Sequence, residues 1–283
     1  MRLTEDFSGL TGTPSSYGRL YGVGVGPGDP ELLTLKAARV LAQADVVAWF
    51  AKAGNQSNAR RVVEQHLREH QPELALYYPV TTELHRHSEG YRRAIADFYT
   101  DSAERLAAEL AAGRNVAVLS EGDPLFFGSW MHLHIRLRSR FEVEVIPGVT
   151  GMAGSWSRAG VPICQGDDVL SILPGTLDEA QLVDRLSRCE AAVIMKVGRN
   201  LPHIRAALAR TGQLSRALYV ERATMADERV MPLASRDDAP APYFSIVLVP
   251  GWAECEYPVT LEGLKMDDLK VDNLKLNDRK VRS

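Results

Sequence analysis

Two turns in this chain set an aspartate and a proline directly behind glycine at the end of an apolar run: GVGVGPGDP at Gly22–Pro30 and SEGDPLFFGS at Ser120–Ser129. A glycine-rich turn leading from a strand into a helix is the usual cradle for a nucleotide phosphate. The dinucleotide fingerprint G-x-G-x-x-G fails here in both frames, because the sixth position from Gly22 is Pro27 and from Gly24 is Asp29. The charge is also wrong. Asp29 reads as the N-cap of the following helix with Pro30 at its first position, and Glu31 follows, so the positive helix end is already answered by carboxylates. A nicotinamide-dependent oxidoreductase is disfavoured on the same grounds. A third apolar run ends in PGVTG at Pro147–Gly151. Three glycine turns thus carry two aspartates and no lysine or arginine. Such a rim suits a ligand with hydroxyls and positive charge, and S-adenosylmethionine, with its ribose, ammonium and sulfonium, has both.

Cations gather elsewhere. TTELHRHSEGYRR at Thr81–Arg93 holds His85, Arg86, His87, Arg92 and Arg93 in one loop-to-helix segment, and arginine forks suit carboxylates. The pairs His85/His87 and His132/His134 stand two residues apart with no carboxylate or cysteine to complete a ligand set, so no metal site is expected. SWSRAG at Ser155–Gly160 lacks the G-x-S-x-G elbow of a hydrolase.

Elements that could position these turns alternate along the chain. Apolar runs at 20–25, 45–50, 74–80, 115–120 and 141–146 read as strands. Between them lie helical patterns at 33–44, 57–69, 88–112 and 125–139; in the first, Leu33, Ala37, Val40, Leu41 and Ala44 form one buried stripe. This alternation predicts an open, mostly parallel sheet covered on both faces. Beyond residue 148 the pattern continues as helix 151–159, strand 169–173, helix 178–188, strand 191–197 and helix 201–210. It closes with extended pieces at 217–221, 228–232 and 243–249, which predict antiparallel pairing. The expected organisation is an arm at 1–17, an α/β domain at 18–148 with a parallel sheet, an α/β domain at 149–252 with a mixed sheet, and a tail at 253–283. From Leu261 that tail repeats LKMDD-LKVDN-LKLND, a five-residue period that fits neither helix nor strand, and it is set aside from the fold.

The bulk numbers narrow the classes. A net charge of −3 in 283 residues offers no general field for nucleic acid or an anionic membrane. Three cysteines far apart, without a CxxC, fit a reducing cytoplasm. No apolar run reaches the ~20 residues needed to span a bilayer.

The blocks VGVGPGDPELLTLKAARVLAQADVV, SEGDPLFFGS and EVIPGVTGMAGSWSRAGVP resemble the three signature blocks of the tetrapyrrole methylases, and the resemblance covers about residues 18–251. The longer strings SEGDPLFFGSWMHLHIRL, AVIMKVGRNLP and YVERATMADERVMPL are similar to the branch that methylates carbon 20, a meso position, on the way to cobalamin. The resemblance implies two α/β domains facing across a trough, a homodimer, and S-adenosylmethionine folded between the domains and leaving as S-adenosylhomocysteine. Carried over block by block, it implies cofactor contacts from Pro27, Glu121, Gly122, Asp123, Phe126, Thr150, Gly151, Met195 and Ala223. Many members have glycine where this chain has Glu121.

The implied reaction is an in-line displacement with no protein metal and no covalent intermediate. A base for the departing proton is open among Asp29, Glu83 and His85, each of which reads equally well as a capping or surface residue. The substrate's carboxylates call for cations, and Arg86, Arg92 and Lys52 are the candidates. A sister methylase acting on a cobalt-bearing ring and a non-catalytic tetrapyrrole-binding module are the alternatives.

Overall fold

The computed structural model describes residues 17–79 and 88–251. The first unit is a five-stranded sheet of β1 (Leu20–Gly24), β2 (Val46–Lys52), β3 (Glu73–Tyr78), β4 (Val116–Ser120) and β5 (Val143–Ile146) in the order β3-β2-β4-β1-β5. All its pairings are parallel. Helices α1 (Leu35–Gln43) and α2 (Asn58–Val62) cover one face, where Leu41 and Val63 pack on Val23, Val47 and Leu119. Helices α3 (Glu89–Ala111) and α4 (Trp130–Leu137) cover the other, where Leu106 and Trp130 meet Leu20, Val116 and Val118. The chain leaves β1 toward β2 on one side and β4 toward β5 on the other, so the sheet's switch point lies between β1 and β4. Ligand crevices of open α/β sheets form there, at the C-terminal strand ends.

The second unit follows α5 (Gly151–Ala159). It pairs β6 (Leu170–Pro174), β7 (Ala191–Met195), β8 (Leu218–Glu221), β9 (Arg229–Pro232) and β10 (Ser245–Val249) in the order β6-β7-β10-β8-β9. Only β6 and β7 run parallel; β10 is antiparallel to both its neighbours and β8 to β9. Helices α6 (Glu179–Leu186) and α7 (Leu201–Arg210) bury Leu182, Ile204 and Leu208 on one face, and α5 covers the other with Met152 and Trp156. The fold class is the expected one, two α/β units with a parallel and a mixed sheet, and the last three strands pair antiparallel as predicted. No helix among the described residues is long and apolar enough to cross a membrane.

Two helix starts and one helix end differ from expectation. Asp29 caps a single 3-10 turn, Pro30–Leu32, rather than α1; Leu33 and Thr34 are extended, and Thr34 Oγ1 accepts from Ala37 N–H to start α1 afresh. The helix expected from 57 stops at Val62 and resumes as a 3-10 turn at Glu64–His66. The helix expected from Leu125 begins at Trp130, because Asp123 Oδ1 accepts from Leu125 N–H and Phe127 is left-handed (φ 54°), which holds the intervening residues as a turn.

Candidate functional site

The glycines of the three turns exist because backbone touches backbone. A Cβ on Gly148 would stand 2.1 Å from Gly122 O, and one on Gly24 would stand 2.5 Å from Gly148 N. Gly26 and Gly122 exchange hydrogen bonds, with Gly122 N–H donating to Gly26 O at 2.9 Å and Gly26 N–H returning to Gly122 O at 3.4 Å. Asp123 completes the knot, since its Oδ2 accepts from Gly148 N–H at 3.2 Å while Oδ1 holds Leu125. Its carboxylate thereby fixes the second turn to the third. Gly122 also lies against the start of α5, where its Cβ would meet Gly151 N at 3.4 Å. Pro27 packs on α5 from the first turn, 2.7 Å from where a Cβ on Gly154 would be. Pro27, Gly122, Asp123, Thr150 and Gly151 are therefore one contiguous cradle at the switch point.

Met195 and Ala223 arrive from the second unit. Strands β7 and β8 both lie antiparallel to β10, so they point the same way, and Met195 and Glu221 end at one edge of the second sheet. That edge meets the cradle. Asp29 N–H donates to Thr224 Oγ1 at 3.1 Å, Gly28 lies against Met225, and Lys196 Nζ sits 4.6 Å from the centroid of the Phe127 ring. Glu228 braces the contact by accepting from Thr224 N–H at 2.9 Å and from Arg158 of α5. Phe126 stands behind, edge-on to Phe127 at 4.9 Å between ring centroids.

Strain concentrates at this seam. Five described residues other than glycine are left-handed, and Phe127, Lys196, Arg222 and Thr224 all belong to it. Each costs on the order of 1–2 kcal/mol, and held outliers of this kind cluster at ligand clamps. The two cations here are engaged: Arg222 with Glu221 and Asp227, Lys196 with the Phe127 ring. What the cradle presents is backbone, small residues and sulfur. Such a lining fits a nucleoside bearing a sulfonium better than a pyrophosphate.

A second cluster lies beside it. Tyr78, at the end of β3, and Tyr99, of α3, both hydrogen-bond Ser129 Oγ, the latter at 2.9 Å, and His132 stacks on Tyr99 with centroids 4.1 Å apart. Burial raises both phenols. Tyr243, just before β10, is 81% exposed, yet its phenol is pushed up to about 12, first by surrounding protein, then by the charges of Glu121 and Tyr99. Its ring meets that of Phe244 edge-on, with centroids 5.0 Å apart. Glu121 follows β4 directly, and burial pushes its carboxyl up to about 7, against a hydrogen bond from Asn58 that lowers it.

Of the remaining candidates, Asp29 turns its carboxylate onto Glu31 N–H at 2.9 Å. Lys52 ends β2, and Arg92 lies exposed near the start of α3. Glu83, His85 and Arg86 lie outside the described residues. Among the described residues there is no group of three or more metal-ligating side chains. Sequence reasoning missed Phe127, Lys196, Thr224 and Tyr243. Phe127, Lys196 and Thr224 lie within the motif strings but are not singled out there, and nothing local marks Tyr243.

The family model for tetrapyrrole (corrin/porphyrin) methylases matches residues 19–236. The chain is 64% identical over 237 residues to a precorrin-2 C(20)-methyltransferase of Sinorhizobium sp, an alignment covering 84% of this chain and 97% of that protein. It is 32% identical over 235 residues to the cobalt-precorrin-2 C(20)-methyltransferase of Salmonella typhimurium, covering 82% of this chain and 96% of that one. The solved uroporphyrin-III C-methyl transferase of Thermus thermophilus, complexed with S-adenyl homocysteine, superposes with a TM-score of 0.58 at 25% identity, covering 82% of this chain and 92% of that one.

Proposed function

Because the chain belongs to the tetrapyrrole (corrin/porphyrin) methylases, we propose that it transfers a methyl group from S-adenosylmethionine to carbon 20 of precorrin-2, giving precorrin-3A in cobalamin biosynthesis. The observation that carries this reading is the 64% identity, over 97% of the relative's length, to a precorrin-2 C(20)-methyltransferase. The lower identity to the cobalt-precorrin enzyme, 32%, favours the metal-free substrate.

When bound, S-adenosylmethionine supplies an electrophilic methyl group. Pro27, Gly122, Asp123, Phe126, Thr150 and Gly151, with the backbone of Glu121, would hold it from the first unit, and Met195 and Ala223 from the second. Their part is alignment: holding the reacting carbon about 3–3.5 Å from the methyl group removes most of the entropic barrier. The Phe127–Lys196 and Asp29–Thr224 contacts join the two units beside that site. Lys52, Arg86 and Arg92 would receive the ring's carboxylates. The enzyme would act as a cytoplasmic homodimer, the state the family resemblance implies.

Incubation with S-adenosylmethionine and either precorrin-2 or its cobalt form, followed by mass and absorbance, tests this reading. Gain of one methyl on precorrin-2 is expected. Methylation of the cobalt form alone would select the sister activity, and binding without methylation would select a non-catalytic module. Replacing Arg86 and Arg92 together is expected to raise substrate KM several-fold with S-adenosylhomocysteine affinity unchanged. Light scattering of the purified protein tests the dimer.

A further inference from the structure

We propose that Glu121 accepts the proton that leaves carbon 20 after methyl transfer, an inference that rests on the function proposed above. Six carboxylates surround the seam; Glu221 and Asp227 pair with Arg222, and three more are engaged elsewhere. Asp29 holds Glu31 N–H, Asp123 holds Leu125 and Gly148 N–H, and Glu228 holds Thr224 N–H and Arg158. Glu121 has the Asn58 side chain as its hydrogen-bond partner. It stands at the end of β4, a central strand, immediately before the glycine that binds the first turn to the second.

Side-chain alternation along β4 sets its direction. Val116 and Val118 face α3 and α4, whereas Ala117 and Leu119 face α1 and α2, and Glu121 continues the latter row toward Asn58 of α2. Lys52 of the adjacent β2 shares the row of Val46 and Ala48, on the opposite face. Tyr243 precedes β10 of the second unit, and its phenol feels the charges of both Glu121 and Tyr99 of the first. A tetrapyrrole reaching a methyl donor held at Gly122 would pass the adjoining Glu121. The groups acting on the Glu121 proton are the surrounding protein, which raises its affinity for the proton, and Asn58, which lowers it. Carbon 20 gives its electron pair to the methyl group, sulfur keeps the pair of the broken S–CH3 bond, and the C20–H proton passes to the carboxylate. The conjugated ring is restored and S-adenosylhomocysteine and a protonated Glu121 remain. A base that charges near neutral pH is suited to that step.

The test compares wild type, Glu121→Gln and Glu121→Asp with precorrin-2, or with the cobalt form if only that is methylated. Expected are a fall in kcat of at least about 100-fold for the amide, partial recovery in the aspartate, and an S-adenosylhomocysteine Kd within about twofold of wild type by calorimetry. The wild-type kcat profile should rise through pH 7, and the limb should vanish in Glu121→Gln. An amide variant of unchanged kcat overturns the proposal. So does a matching loss of S-adenosylhomocysteine affinity, which would make Glu121 a cofactor ligand. Failure of wild type to methylate either tetrapyrrole would instead bring down the function itself, and this proposal with it.

Discussion

The Lys196 ammonium of the second unit rests 4.6 Å from the centroid of the Phe127 ring of the first, and both residues are left-handed, with φ of 57° and 54°. A cation on an aromatic face contributes about 0.5–2 kcal/mol depending on its exposure. Lys196→Met keeps the stem and removes the charge. The expected result is an S-adenosylhomocysteine Kd raised about fivefold, with a melting temperature close to wild type because each unit keeps its own core. Unchanged affinity by calorimetry would detach this pair from the site.

The nested turns predict an intolerant glycine beside a tolerant one. Gly148→Ala drives a Cβ to 2.1 Å from Gly122 O, where only backbone could give way. A loss of about 3 kcal/mol or more is expected, seen as a large drop in melting temperature or insoluble protein. Gly54→Ala is the control. Gly54 has φ of 83° with nothing within 4 Å, so the change costs about 1–2 kcal/mol of backbone strain alone.

Thr224→Val removes the acceptor for Asp29 N–H at the seam. An amide left without its partner costs about 1–3 kcal/mol when water cannot replace it. S-adenosylhomocysteine affinity should fall about tenfold, and Thr224→Ser should restore it. Equal affinity in the valine and serine variants would assign the contact no role in closure.

The Glu121 carboxyl, pushed from 4.5 in the unfolded chain to about 7 in the folded protein, predicts a pH-dependent stability. Between those values the folded state binds the extra proton, so stability falls as pH rises through the window, and the penalty is complete above pH 7. Glu121→Gln should therefore be the more stable protein at pH 8, by on the order of 2 kcal/mol or ~4–8 °C. The advantage should disappear below pH 4.5. Melting curves at pH 4.5, 6 and 8 check it, and parallel curves for the two proteins would contradict the assignment.

The fold was largely legible because its signals are local and repeated. Val116–Leu119 is an unbroken apolar run at the centre of the parallel sheet, and the stripe of Ala37, Val40 and Leu41 is the buried face of α1. The misplaced helix starts show where local rules compete. Asp29 is a valid cap, but the extended Leu33 and Thr34 stop its turn and hand the helix to a second cap. The site was legible only as far as glycine marks it. Phe127 and Lys196 meet across two units, and no local preference for either residue forecasts a positive φ. The aspartate of the second turn announced a ligand in sequence, whereas in space its oxygens hold Leu125 and Gly148. The unusual proton affinity of Glu121 arises from enclosure, which no linear pattern reports.

The place of β10 between β7 and β8 has a consequence for biosynthesis. The first sheet is complete once Ile146 has emerged from the ribosome, so the N-terminal half can acquire its structure while the rest is being translated. The other half must wait, since its middle strand is synthesised last. Until Val249 appears, β7 and β8 have open edges exposed to any neighbouring nascent chain. Chaperone demand and misassembly should concentrate in that interval, and stop codons just upstream of Ser245 should yield an ordered N-terminal half bearing an aggregating appendage.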